Sequence, residues 1–179
     1  MSESTDQHRE AAAGQSARCA VMTVSDTRTK EDDKSGRIIA KALKAAGHKV
    51  DAYAIVPDDH EKISSQLRNW LRNPFSTIHE PKSDYDVIFT NGGTGISHRD
   101  TTVEVVRKHL DKELEGFGEL FRMLSYEQVS SAAMLSRAVA GLSGQCLIFT
   151  MPGSPDAVQL AMDKLIIPEL PHLIWERKR

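Results

Sequence analysis

The feature that most constrains the fold is the stretch Asp86-Val87-Ile88-Phe89-Thr90-Asn91-Gly92-Gly93-Thr94-Gly95. Its apolar run lacks polar alternation and passes straight into a glycine cluster, the pattern of a parallel strand covered on both faces. Parallel strands need crossover connections, usually helices. The run therefore points to an α/β layered chain.

The loop after the strand has a chemistry of its own. Gly92, Gly93 and Gly95 leave the backbone free to take positive φ and to approach a ligand with its N–H groups turned inward. A helix is expected to open near Thr101 or Thr102, and its unpaired first-turn N–H groups favour an anion such as phosphate. Arg99 adds a planar fork for phosphate oxygens, and Asp100 is a hard oxygen ligand for a magnesium ion. The same residues also suit a tight turn in which Asp100 caps the helix and Arg99 faces solvent.

Around this stretch the chain reads as alternating strands and helices. Cys19 to Val24 forms a first strand, ending in Ser25-Asp26-Thr27-Arg28. Ser35 is expected to cap a helix over 36–46, closed by Gly47. His48 to Val56 is a less buried strand, and Pro57-Asp58-Asp59 ends it, with Asp59 a second candidate cap. A helix follows over 60–72, then a polar insertion over 73–84 containing Pro74 and Pro81.

After the glycine loop, Val103, Val106 and Leu110 mark a helix on which Glu104 and Lys108 form an i, i+4 ion pair. Gly116 and Gly118 suggest a flexible lead into a helix whose Phe and Met side chains fill the core. Gln145 to Met151 is a last strand with a short antiparallel partner before it. Pro152-Gly153-Ser154-Pro155 then opens a helix, with Ser154 as cap and Pro155 at its first position. Pro168 is expected to break or kink it.

The order implies a three-layer α/β sandwich, a mainly parallel central sheet with helices on both faces. The 179 residues suit one domain over 18–179 behind a polar, flexible tail over 1–17. A formal charge of -2 argues against a general nucleic-acid or anionic-membrane binder. The basic end, Glu176 to Arg179, reads as a solvated tail. Cys19 and Cys146 sit in apolar runs and read as buried reduced thiols. Without a membrane-length apolar run or a secretory leader, a cytoplasmic protein is expected.

In a sheet of this kind ligands bind beyond the carboxyl ends of the strands, and neighbouring strands are about 4.8 Å apart. Loops from several strands then build one site. Asp58 and Asp100 are placed to share a magnesium ion bridging phosphate oxygens. No GxxxxGK[ST], GxGxxG or GxSxG pattern is present, nor a helical histidine pair for zinc. His98 reads as an exposed loop residue beside Arg99.

Six motifs in order carry a resemblance. Val24-Ser25-Asp26-Thr27-Arg28, Val56-Pro57-Asp58-Asp59, Thr90 to Gly95 with Arg99-Asp100 and Thr102, Gly116-Phe117-Gly118-Glu119, Leu135-Ser136-Arg137-Ala138 and Met151-Pro152-Gly153-Ser154 resemble the MoaB/MogA family of molybdenum cofactor biosynthesis. The resemblance implies a molybdopterin-binding fold and, in active members, adenylyl transfer from Mg-ATP to the terminal phosphate of molybdopterin with loss of pyrophosphate.

By matching position, Asp58 and Asp100 become the catalytic and Mg2+-holding aspartates. Gly92, Gly93, Thr94, Gly95 and Arg99 become the ligand loop. Ser25, Asp26, Ser136, Arg137, Pro152, Gly153 and Ser154 become further substrate contacts. Val103 replaces the proline that many relatives carry there, and the segment from Gly116 to Ser125 is closest to the MoaB branch. That branch supplies the alternative of a non-catalytic molybdopterin-binding or carrier protein. The resemblance also implies a homo-oligomer, trimer or hexamer, and other molybdenum cofactor enzymes as partners.

Overall fold

The computed structural model describes residues 12, 14–71 and 83–177. One six-stranded sheet runs in the order β2-β1-β3-β6-β5-β4. Its strands are β1 (Arg18–Val24), β2 (Lys49–Val56), β3 (Val87–Asn91), β4 (Lys112–Glu113), β5 (Val139–Ser143) and β6 (Cys146–Met151). The four strands β2, β1, β3 and β6 are parallel, and β5 and β4 add an antiparallel margin.

Alternation along the strands sends side chains to two separate cores. Cys19, Val21, Val87, Phe89, Leu147 and Phe149 enter one, and Ala20, Met22, Ile88, Cys146 and Ile148 enter the other. The first lies under α1 (Lys34–Ala45), α4 (Glu115–Val129), α5 (Pro155–Ala161) and α6 (Ile167–Glu176). Phe149 stacks on Phe89 at 5.6 Å and meets Phe117 edge-on at 5.2 Å. The second core lies under α2 (His60–Leu71) and α3 (Thr102–Arg107). The expected three layers are therefore present, and the exposed pattern of β2 reflects its place at the sheet edge.

Several local expectations are corrected. The cap of α1 is Asp33, which accepts from Gly36 N at 2.9 Å, while the Ser35 hydroxyl donates to Gly153 O at 2.8 Å. The glycine pair lies inside α4, and Gly118 is there because a Cβ would come within 2.8 Å of Ala138 O. Phe117 and Phe121 are core, but Met123 is exposed. Pro168 does not stop the C-terminal helix. A π turn over Met162–Ile166 precedes it, with Ile167 N bonded five residues back to Met162 O, so the missing proline N–H falls where the register shifts.

Arg177 is no solvated tail residue, its side chain being 6% exposed. It donates to Asp86 O at 3.1 Å and to Gln145 O, and pairs with Asp86 Oδ1, tying the end of α6 to the starts of β3 and β6. The expected insertion over 73–84 and tail over 1–17 fall largely outside the described residues. Within them, the Ser16 hydroxyl donates to Gly47 O at 2.8 Å and Ala17 is buried. Both cysteines are free and buried, and burial pushes each thiol up to about 12.

His48 fastens the entry to β1, because its Nδ1 accepts from Ala17 N at 3.2 Å while the residue is 4% exposed. Burial lowers its pKa below the usual histidine value. Between that folded value and about 6.5 the unfolded chain binds more protons, so stability falls as pH drops through this window and levels off beneath it. A series of melts from pH 7.5 to 5 should show the loss. His48→Asn, which keeps an acceptor near the Nδ1 position, should flatten it, and an unchanged slope would refute the assignment.

Candidate functional site

The strand order reverses direction between β1 and β3, since β1 is followed by β2 on one side and β3 lies on the other. Ligand crevices form at such a point beyond the carboxyl ends of the strands. Four loops meet there, those after β1, β2, β3 and β6, as the sequence order implies.

The loops are pressed together by missing side chains. Gly92 has φ +91° and packs on Val24 O. A Cβ on Gly153 would meet Gly92 Cα at 2.9 Å, and Gly92 N donates to Met151 O at 3.2 Å. Gly93, at φ +62°, lies over two polar side chains: its Cβ would run into Thr102 Oγ1 and stand 2.8 Å from Asp58 Oδ1. A Cβ on Gly95 would meet Asp100 Oδ2 at 2.7 Å. Both aspartates therefore face the glycine loop.

Each carboxylate is held differently. Asp58 N donates to Asp26 Oδ1 at 3.1 Å, and Arg99 pairs with Asp26 Oδ2, so Asp26 links the two loops. Asp100 Oδ2 accepts from Ser97 N at 2.9 Å and closes the loop's outer turn instead of capping α3. That helix starts at Thr102 with no side-chain cap, and Thr102 N donates to Gly93 O at 3.0 Å. Asp59 caps α2 by accepting from Lys62 N at 3.0 Å.

Burial is the main cause that raises the Asp58 carboxyl above the usual carboxylate range. The charges of Asp100 and Asp26 act in the same direction, against the Thr101 N–H and Arg99. Asp58 Oδ1, Asn91 Oδ1, Thr101 Oγ1 and Thr102 Oγ1 are buried without a partner. Such atoms are costly unless a ligand or water satisfies them. Among the described residues no group of three or more His, Cys, Asp or Glu side chains forms a metal cage. Magnesium, however, takes one or two carboxylates plus substrate phosphates and water, and the Asp58 and Asp100 pair fits that donor set.

The remaining expected residues support the walls. Ser25 Oγ accepts from Thr27 N and Arg28 N at 3.3 and 3.2 Å, and Ser154 caps α5 through Ala157 N at 3.3 Å with Pro155 next to it. Pro152 and Gly153 lie beside the glycine loop, and Ser136 is half-buried at the end of the short 3-10 helix Ser130–Leu135. His98 is exposed. Arg137 turns inward, donating to Thr94 O at 2.9 Å, Asp100 O at 3.3 Å and both carboxylate oxygens of Glu104. The expected Glu104 and Lys108 pair is thus replaced, and Lys108 Nζ instead meets His60 Nε2 at 3.1 Å. Nothing local in the sequence marks Glu104 as part of the site, because its partner is 33 positions away.

Residues 20–172 match the family described as "Probable molybdopterin binding domain". The chain belongs to this family of molybdenum cofactor biosynthesis proteins. It is 52% identical over 168 residues to molybdenum cofactor biosynthesis protein B of Bacillus cereus, covering 93% of this chain and 94% of that one. A crystal structure of a molybdenum cofactor biosynthesis protein B superposes with TM-score 0.85 at 51% identity, covering 93% of this chain and 99% of that one. The tungsten cofactor synthesizing protein MoaB of Pyrococcus furiosus superposes at 0.77 with 38% identity, over 93% of this chain and 100% of that one. These likenesses agree with the MoaB-like segment that begins α4. Among the described residues of this family member, no helix is long and apolar enough to cross a membrane.

Proposed function

We propose that this chain is a molybdopterin adenylyltransferase of molybdenum cofactor biosynthesis. The observation that carries the reading is the placement of two carboxylates, Asp58 and Asp100, against Gly93 and Gly95 of one phosphate-sized loop. A terminal phosphate oxygen of molybdopterin attacks the α-phosphorus of ATP; the new P–O bond forms as the bond to the β-phosphate breaks, and pyrophosphate leaves. Such transfers depend on alignment and charge neutralisation.

Within that reading, loop N–H groups cradle the pterin phosphate and Arg99 leaves Asp26 to clamp an anionic oxygen. Ser25, Ser136 and Ser154 border the substrates. Asp58 and Asp100 would hold Mg2+, which when bound neutralises phosphate charge and orients the oxygens for displacement. The chain is also proposed to work as a homo-oligomer. Leu120, Met123, Tyr126 and Val129 on α4, with Met134 and Leu135 after it, form an exposed apolar band that a second copy would cover.

Full-length protein given molybdopterin and Mg-ATP should release pyrophosphate and yield the adenylylated pterin. Asp100→Ala should lower the rate by roughly 10²–10³, the loss typical of one removed electrostatic stabiliser, with melting nearly unchanged. Pterin binding by the unmutated chain without turnover would reject the transferase. It would leave the non-catalytic carrier, the reading favoured by the MoaB-like segment.

A further inference from the structure

Four hydrogen bonds occupy the Arg137 guanidinium, which has five N–H donors. Two of them reach Thr94 O and Asp100 O, the two ends of the exposed arc of the glycine loop. The other two form a fork with Glu104, at 2.6 Å from Nη1 to Oε1 and 3.0 Å from Nη2 to Oε2. A bidentate fork fixes the plane of the guanidinium as well as its distance.

Besides Arg137, one side-chain tie leaves the arc, from Arg99 to Asp26. Ile96, Ser97, His98 and Arg99 are exposed, and the bonds inside the arc are those between Ser97 and Asp100 with one from Arg99 N to Ser97 Oγ. Its shape nevertheless decides where Arg99 and Asp100 stand relative to Asp58. With its donors committed to the loop and to Glu104, Arg137 acts through the loop.

We propose that Glu104 is a positioning residue of the ligand site: by locking Arg137 it pins both ends of the 94–100 arc, and it thereby sets the anion loop before ligand arrives. The proposal deepens the phosphate-binding reading and rests on it for its functional half. The pair also joins α3, the glycine loop and the entry to β5 at one point. The Arg137 bonds hold the Glu104 carboxyl below the usual range, so the clasp stays charged at neutral pH.

The experiment uses the full chain with Glu104→Ala, Glu104→Gln and Lys108→Ala. Amide hydrogen exchange should rise at least tenfold over 94–100 in Glu104→Ala, stay unchanged over β3, and rise less in Glu104→Gln, which keeps an acceptor. Lys108→Ala should leave the loop as it was, whereas a helix-pairing role for Glu104 would make the two alanine variants alike. Molybdopterin affinity, or kcat/KM for adenylyl transfer, should fall about tenfold in Glu104→Ala with partial rescue in Glu104→Gln.

Exchange over 94–100 that ignores Glu104, or a loosened loop with unaltered affinity and turnover, overturns the proposal. Should the unmutated chain show no transfer, the exchange and pterin-affinity arms still decide it. Failure of the reaction and failure of the clasp therefore give different results.

Discussion

Gly92→Ala should lower the melting temperature by roughly 6–12 °C, from a loss of about 3 kcal/mol. Two costs combine there. The backbone has φ +91°, and the added Cβ would run into Val24 O, a strand carbonyl that cannot rotate away. Relief requires parting β1 from the loop, which also disturbs the contact with Gly153. Gly47 is the internal control, with φ +85° and nothing within 4 Å of its Cβ position. Gly47→Ala should cost only the left-handed backbone term, on the order of 1 kcal/mol. Thermal melts of the two variants decide the matter, and equal losses would show that the loop yields where the geometry has it braced.

This contrast bears on what a sequence can reveal. The runs that form β1, β3 and β6 are apolar on both faces, so their parallel, central placement could be read directly. Ser154 and Pro155 were legible because a cap and a first-turn proline act over three residues. The glycine loop was legible as a turn, but the identity of its neighbours was not. Glu104 has a plausible local partner in Lys108, and helix spacing favours it; only the fold brings Arg137 into reach. Arg177 misleads for a similar reason, since a run of charges looks solvated until Asp86 and Gln145 are placed beside it. Ser35 loses the cap to Asp33 because its hydroxyl serves Gly153 O, a contact 118 positions away. Short β4 has too few residues to leave a pattern.

Asp58→Asn should separate function from stability. Burial disfavours the charged form of Asp58, the neighbouring Asp100 and Asp26 act in the same direction, and Oδ1 lacks any partner. Its folded pKa is raised, so the folded state binds the proton more tightly than the unfolded chain, whose value is about 3.9. Stability therefore declines as pH rises above that unfolded value, until the folded carboxyl has ionised. An amide removes the charge and offers N–H groups beside the partnerless Thr102 Oγ1. The variant should melt at or above the parent temperature at pH 7 without magnesium, with the difference shrinking as pH falls toward 4. Addition of Mg-ATP should raise the melting temperature of the parent more than that of the variant, and adenylyl transfer should fall by roughly 10²–10³. A variant that melts well below the parent in metal-free buffer would mean that Asp58 is a structural residue. One that gains as much from Mg-ATP as the parent would remove Asp58 from the cation. A steadier but idle protein is the expected pattern, because a half-buried carboxylate kept for a ligand destabilises the fold without it.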